Sequence, residues 1–253
     1  MSTTFSRDFL IEVAKGNISG HSLVHKFGKN DAVGGTFEHI SLLPFSTANF
    51  RQSAVAMRVK AGDAADDTGG NGAREITIQG IDSNFAETSA AIATAGTSAS
   101  SNFAGTWWRV HRAWVSAAGT YTAANTAAVV IEDSGAAADF ITIAIEEGQS
   151  QYAGFTIPAG KTGYLLSVHA AVSVGTNKEC DIQCLTRKNI DDVSAPMNAV
   201  RLKLYWSGIQ EAFNYKPNSP ELSLPEKTDI WFEAKATASS QISLDFELLL
   251  VDN

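Results

Sequence analysis

The sequence predicts an all-β fold, an antiparallel β-sandwich or jelly roll, standing either as one sandwich or as two packed ones. Three observations carry that expectation. Apolar residues recur with period two along most of the 253 residues, the spacing that puts alternate side chains on one face of a strand. The runs are rich in Ile, Val, Thr and aromatic residues, which suit a pleated, half-buried surface. Clusters of Gly, Pro, Asn and Asp separate them, and few long helical patterns intervene.

Taken in chain order, the first element is ambiguous. Phe9, Leu10 and Val13 share one face of a helix that Gly16 would stop, yet Phe9, Ile11 and Val13 also alternate as in a strand. From Gly16 to Gly35 glycine pairs with Asn, Ser and Lys, so residues 1–35 are expected to form an extended N-terminal arm. Strand runs follow: Ile76 and Ile78; Trp107 to Arg112, where both alternating rows are partly apolar; Ile141, Ile143 and Ile145. Later runs are Leu202, Leu204 and Trp206, then Ile230 and Phe232, then Ile242, Leu244, Phe246 and Leu248. Glu87 to Gly105 is Ala/Ser/Thr-rich, and such small side chains bury little area, so the segment reads as an extended surface loop or an edge strand. Two turns resemble one another, Ile157-Pro-Ala-Gly-Lys-Thr and Leu224-Pro-Glu-Lys-Thr, each ending one strand and launching the next. A boundary near Gln149-Ser150 would divide the body into portions 36–150 and 151–253.

Composition narrows the function classes. Nineteen Lys and Arg against 27 Asp and Glu give a net charge of −8, which repels phosphate backbones, and no Lys/Arg cluster offers a local exception. No nucleic-acid partner is therefore expected. No apolar run approaches the roughly 18 residues of a membrane helix, and the first ten residues lack the pattern of a secretory signal. Cys180 and Cys184 fall on the same face of one strand, too far apart for a disulfide and without two further zinc ligands. They read as free core thiols in a reducing compartment.

Catalytic patterns are sparse. His21 and His25 have metal-ligand spacing only on a helix, and their glycine-rich surroundings favour two surface histidines. His111 and His169 have no nucleophile elbow beside them. The carboxylate pairs Asp66-Asp67, Glu132-Asp133, Glu146-Glu147 and Asp191-Asp192 are adjacent residues, which a strand points to opposite faces, unlike a glycosidase pair. Asp63, Asp66, Asp67 and Asn71 form the best metal candidate, a carboxylate-rich loop suited to calcium but lacking EF-hand spacing. Its alternative is a plain β-turn, and no cofactor is expected. Trp107, Trp114 and Trp206, with Trp108 and Trp231, would serve a core or subunit interface, or else stack on sugar rings.

With the strand pattern in place, several stretches resemble a family of tailed-bacteriophage virion structural proteins. They are Phe9-Leu-Ile-Glu-Val-Ala-Lys-Gly-Asn-Ile-Ser-Gly-His-Ser, Gly72-Ala-Arg-Glu-Ile-Thr-Ile-Gln-Gly-Ile-Asp and Trp108-Arg-Val-His-Arg-Ala-Trp-Val with Ala118-Gly-Thr-Tyr. The others are Ile157-Pro-Ala-Gly-Lys-Thr-Gly-Tyr-Leu, Leu224-Pro-Glu-Lys-Thr-Asp-Ile and Leu248-Leu-Leu-Val-Asp-Asn, so the likeness spans nearly the whole chain in order. The motifs are turns and strand starts. The resemblance implies a β-rich virion component without catalysis, made in the host bacterial cytoplasm. Within that class the chain looks like a capsid decoration, or cement, protein on the capsid surface, whose partners are the major capsid protein and its own copies in a homotrimer. The arm's apolar residues Phe5, Phe9, Leu10, Ile11 and Val13 would then contact the shell. The alternatives are a tail, fibre or adaptor component, or a host-recognition protein binding surface glycan.

Overall fold

The computed structural model describes residues 8–42, 50–173, 178–217 and 222–253. Within them a short helix, α1 (Phe9–Ala14), precedes β1 (His21–Val33), β2 (Glu38–His39), β3 (Met57–Ala61), β4 (Ala73–Asp82), β5 (Glu87–Ala93), β6 (Ala99–Asn102), β7 (Trp107–Ala118), β8 (Val129–Asp133) and β9 (Asp139–Ile143). The later strands are β10 (Gly154–Thr156), β11 (Lys161–Ser173), β12 (Cys180–Arg187), β13 (Arg201–Ile209), β14 (Phe213–Tyr215), β15 (Ser223–Leu224), β16 (Asp229–Ala236) and β17 (Ser240–Asp252).

Antiparallel pairing arranges these strands in four sheets. Sheet I runs β1-β17-β11-β14 with β15 also on β11, and sheet II runs β10-β16-β12-β13 with β2 on β16. Sheet III runs β6-β3-β8-β9, and sheet IV runs β5-β4-β7. Sheets I and II enclose one core, with Leu165, Ile182, Phe232, Phe246 and Leu248 in it. Sheets III and IV enclose another around Val59, Ile76, Ile78, Trp107 and Ile131. The all-β expectation therefore holds as two packed sandwiches: a terminal one built from both ends of the chain, and a mid-chain one.

The alternation read from sequence is visible in the burial. Along β12, Cys180, Ile182, Cys184 and Thr186 point inward, and along β17 Ile242, Leu244, Phe246, Leu248 and Leu250 do so. The first five residues of β7, Trp107 to His111, are all buried. Trp107 and Val110 enter the mid-chain core, whereas Arg109 and His111 meet Asp229 and Thr156 of the terminal sandwich, so polar residues on this strand are taken out of water too.

The N-terminal region departs from the expected arm. His21 to Val33 form a 13-residue outer strand of sheet I, with His21 opposite Val251 and Asn30 opposite Ile242 on β17. The inward row of β1 includes the half-buried Val24 and the buried Lys26 and Gly28, a polar, glycine-bearing pattern that conceals a strand from a hydrophobicity reading. Gly28 is demanded by close approach, because a Cβ there would collide with the backbone of Ile40 and Ala153. What precedes β1 is helical: Asp8 caps α1 by accepting from Leu10 N (3.0 Å) and Ile11 N (3.3 Å), and Gly16 at φ 74° follows its end. The Ala/Ser/Thr-rich stretch supplies β5 and β6, each an outermost strand of its sheet, where little apolar burial is needed.

Candidate interaction surfaces and the buried junction

A polar network joins the sandwiches. Arg109 on β7 grips Asp229 on β16 through Nη2 to Oδ2 (2.9 Å) and Nε to Oδ1 (3.2 Å), with both side chains almost fully buried. Thr156 Oγ1 donates to the same Asp229 (2.6 Å), and Thr156 N donates to His111 Nε2 (3.0 Å). That donor assigns the imidazole proton to Nδ1, so the ring is neutral. Burial, then the charges of Lys26, Arg109 and Arg112, hold the His111 pKa well below its usual value. From the opposite side Lys26 Nζ donates to the His111 carbonyl, and burial drops its amine to about 7. Glu87 nearby is pushed up by burial, against the pull of Lys26, Lys161 and Arg112. A narrow cavity of about 10 Å³ lies among Arg109, His111, Tyr152, Thr156 and Asp229, room for about one water. The network cross-links the two halves.

The carboxylate loop is also structural. Asp66 is fully buried, and its two oxygens accept from Ala73 N (2.8 Å), Thr126 N (2.9 Å) and Ala127 N (3.0 Å). Amide protons occupy the positions a calcium ion would need, so this geometry opposes the calcium reading. Asp63 and Asp67 close local turns, accepting from Ala65 N (2.7 Å) and Gly69 N (2.9 Å). No group of three or more His, Cys, Asp or Glu residues suited to a metal occurs among the described residues. Of the adjacent carboxylates, Glu132 pairs with Arg58 (2.7 Å), Asp133 with Arg51 (3.1 Å) and Asp191 with Lys227 (2.8 Å). His21 lies against Ser19 O (2.8 Å), whereas His25 and His169 both approach Asp245, at 3.6 and 3.1 Å. Cys180 and Cys184 are buried and unbridged, and burial pushes the Cys180 thiol up to about 12 and the Cys184 thiol higher.

Exposed apolar residues gather in separate places. On α1, Phe9, Leu10 and Ile11 are 47%, 38% and 53% exposed, while Phe9 rests edge-on against His21 (ring centroids 5.7 Å). Val13, expected as a contact, is instead buried and anchors the helix to the body. Phe5 lies outside the described residues. Trp107 is buried with Nε1 donating to Ala104 O (3.2 Å), which removes it from any glycan platform. Trp206 packs among Phe213 and Tyr215 between β13 and β14. Trp114 is half-buried and lines an open surface groove with Arg112 and Glu147.

Sheet II ends in β13, an outermost strand whose exposure the sequence does not announce. The pairing slips by one residue beside Lys203: Leu204 faces Cys184, but Leu202 faces Leu185. Adjacent residues on β12 point to opposite faces, so the slip carries Leu202 to the outer face, where it is exposed like Met197, Val200 and Tyr205. Asp181 secures this edge by accepting from Tyr205 Oη, Ser207 Oγ (both 2.7 Å) and Gly208 N (3.0 Å). Burial would raise the Asp181 pKa, but those bonds and Lys235 hold it at about 2.

No protein-family model matches the chain, and no curated protein matches it by sequence. Among solved structures it is similar to infectious bursal virus-derived T=1 particles, at 9% identity over 92% of this chain and 74% of that one, with a TM-score of 0.20. It is also similar to a mutant VP2 protein of infectious bursal disease virus in derived T=1 particles, at 8% identity, the same coverages of 92% and 74%, and a TM-score of 0.18. At those TM-scores neither likeness reaches that of a shared fold.

Proposed function

We propose that the chain is a non-enzymatic virion structural protein, a decoration subunit that binds and reinforces a shell of major capsid proteins. The observation that carries this reading is the α1 tip, three consecutive exposed apolar residues held on a capped helix at the edge of a cross-linked body. Such a tip adds contact area without enlarging the core, and the rigid body behind it loses little entropy on docking. Its polar residues, in the junction and the Asp66 loop alike, serve cohesion. The resemblance to phage virion proteins points the same way.

The test is attachment. Purified protein added to shells lacking it should bind at a saturable number of sites, and Phe9→Ser with Ile11→Ser should abolish binding without lowering the melting temperature. Full binding by that variant would remove the tip from the contact. A second reading, host-glycan recognition, is favoured by the Trp114 groove alone, and saturable binding to glycans that Trp114→Ala eliminates would select it.

A further inference from the structure

Two further exposed surfaces, one on each sandwich, differ in charge and share an apolar character. The first is a knob on the mid-chain sandwich. Tyr121 is 93% exposed and Ile145 58% exposed, and Glu146 and Glu147 follow directly. Two non-glycine residues there, Thr122 and Glu146, adopt left-handed φ of 64° and 63°, costly backbone that persists only where the surroundings enforce it. Asn125 enforces it. It is buried, its Nδ2 donates to Ala127 O and Ala144 O (both 2.7 Å), its Oδ1 accepts from Gly148 N (3.0 Å), and its carbonyl accepts from Glu146 N (3.0 Å). Two loops are thereby held together with the apolar tips outward and an acidic rim.

The second surface is the β13 edge of the terminal sandwich. Val200, Leu202 and Tyr205 are exposed, and Arg201 and Lys203 between them are exposed without an ion pair among the described residues. This basic apolar strip sits on a chain of net charge −8. The acidic, apolar knob is its complement in both charge and polarity. Each surface also adjoins the outermost strand of its sheet, β9 for the knob and β13 itself.

We propose that the knob of one copy docks on the β13 edge of a second copy, head to tail. Because the two patches differ, the contact is heterologous and propagates until the rotation closes a ring. This deepens the virion reading by naming the surfaces of self-association, and it rests on that reading only for its setting.

The experiment is native mass spectrometry and light scattering on the full chain and three variants: Glu146→Lys, Lys203→Glu, and both together. Both changes are on the exposed surface, and unchanged melting curves verify folding. The wild type should form a closed oligomer, each single variant should weaken association at least tenfold, and the double variant, with the charges exchanged, should restore it. A monomeric wild type, or single variants that assemble like the wild type, would overturn the proposal. Shell attachment measured on the same proteins reports separately on the virion role, so a monomer that still decorates shells defeats this contact while leaving that role standing.

Discussion

Arg109 and Asp229 form a two-pronged ion pair across the two sandwiches, and Thr156 completes the carboxylate's coordination from β10. Removing one partner leaves the other charged and buried, which costs about 3–5 kcal/mol. Arg109→Ala and Asp229→Ala should each lose stability on that scale in urea unfolding. The double variant Arg109→Met, Asp229→Leu should lose less than either single change, because no uncompensated charge remains. A double loss equal to the sum of the singles would show that the pair is not coupled.

Lys26 makes stability pH-dependent. Its pKa is about 7 in the folded chain against 10.5 when unfolded, so between those values the unfolded chain holds the extra proton. Stability therefore rises with pH from about 7, by up to about 1.4 kcal/mol per unit for this group. His111, also lowered, adds the same sign at more acid pH. Denaturant melts between pH 7 and about 7.5, below the midpoints near 8.5 and 10 at which unfolded thiols and tyrosines titrate, should show the slope in the wild type and its loss in Lys26→Met. An identical slope in the variant would reject the buried amine as its source.

Asp66→Ala leaves three backbone N–H groups without their acceptor and should destabilise the chain by at least about 2 kcal/mol. Calcium or a chelator should leave the wild-type melting temperature unchanged. A rise on adding calcium would restore the metal reading of that loop.

The thiols of Cys180 and Cys184 face the terminal core, and their raised pKa values keep them protonated. A disulfide exchange reagent at pH 8 should label neither until the chain unfolds, with the labelling rate following denaturant concentration. Rapid labelling of native protein would contradict their placement.

How much of this was legible depends on where each residue's partners lie. The inward rows of β12 and β17 are short-range patterns and were read directly. In the sequence β1 reads as an arm because Lys26 and Gly28 occupy its inward row, and each is explained only by distant chain: Lys26 by the His111 carbonyl, Gly28 by the backbone of Ile40 and Ala153. The Asp66 loop reads in the sequence as a calcium candidate or a plain turn, because the donors that occupy its carboxylate, Thr126 and Ala127, lie some sixty positions further on. Leu202 was assigned to one row with Leu204 and Trp206, and the slip beside Lys203 reverses it. No local signal encodes that slip, and it leaves Leu202 exposed. Over Phe9 to Val13 the sequence leaves helix and strand open, and the helix with its Asp8 cap buries Val13 while Phe9, Leu10 and Ile11 stay exposed.

On the decoration role proposed above, two N-terminal truncations separate attachment from folding. Removing the residues before Gly16 should spare the sandwiches and abolish shell binding, whereas removing those before Gly35 takes away β1, paired along most of β17, and should unfold the terminal sandwich. Circular dichroism and particle binding on both truncations check this, and a folded, shell-binding product of the longer deletion would refute it.

The central claim is that the chain coats a shell, and its copy number in purified virions tests that most directly. Quantitative protein analysis should find it in numbers comparable with the main shell protein. A handful of copies per particle would contradict decoration and move the chain to the portal or tail.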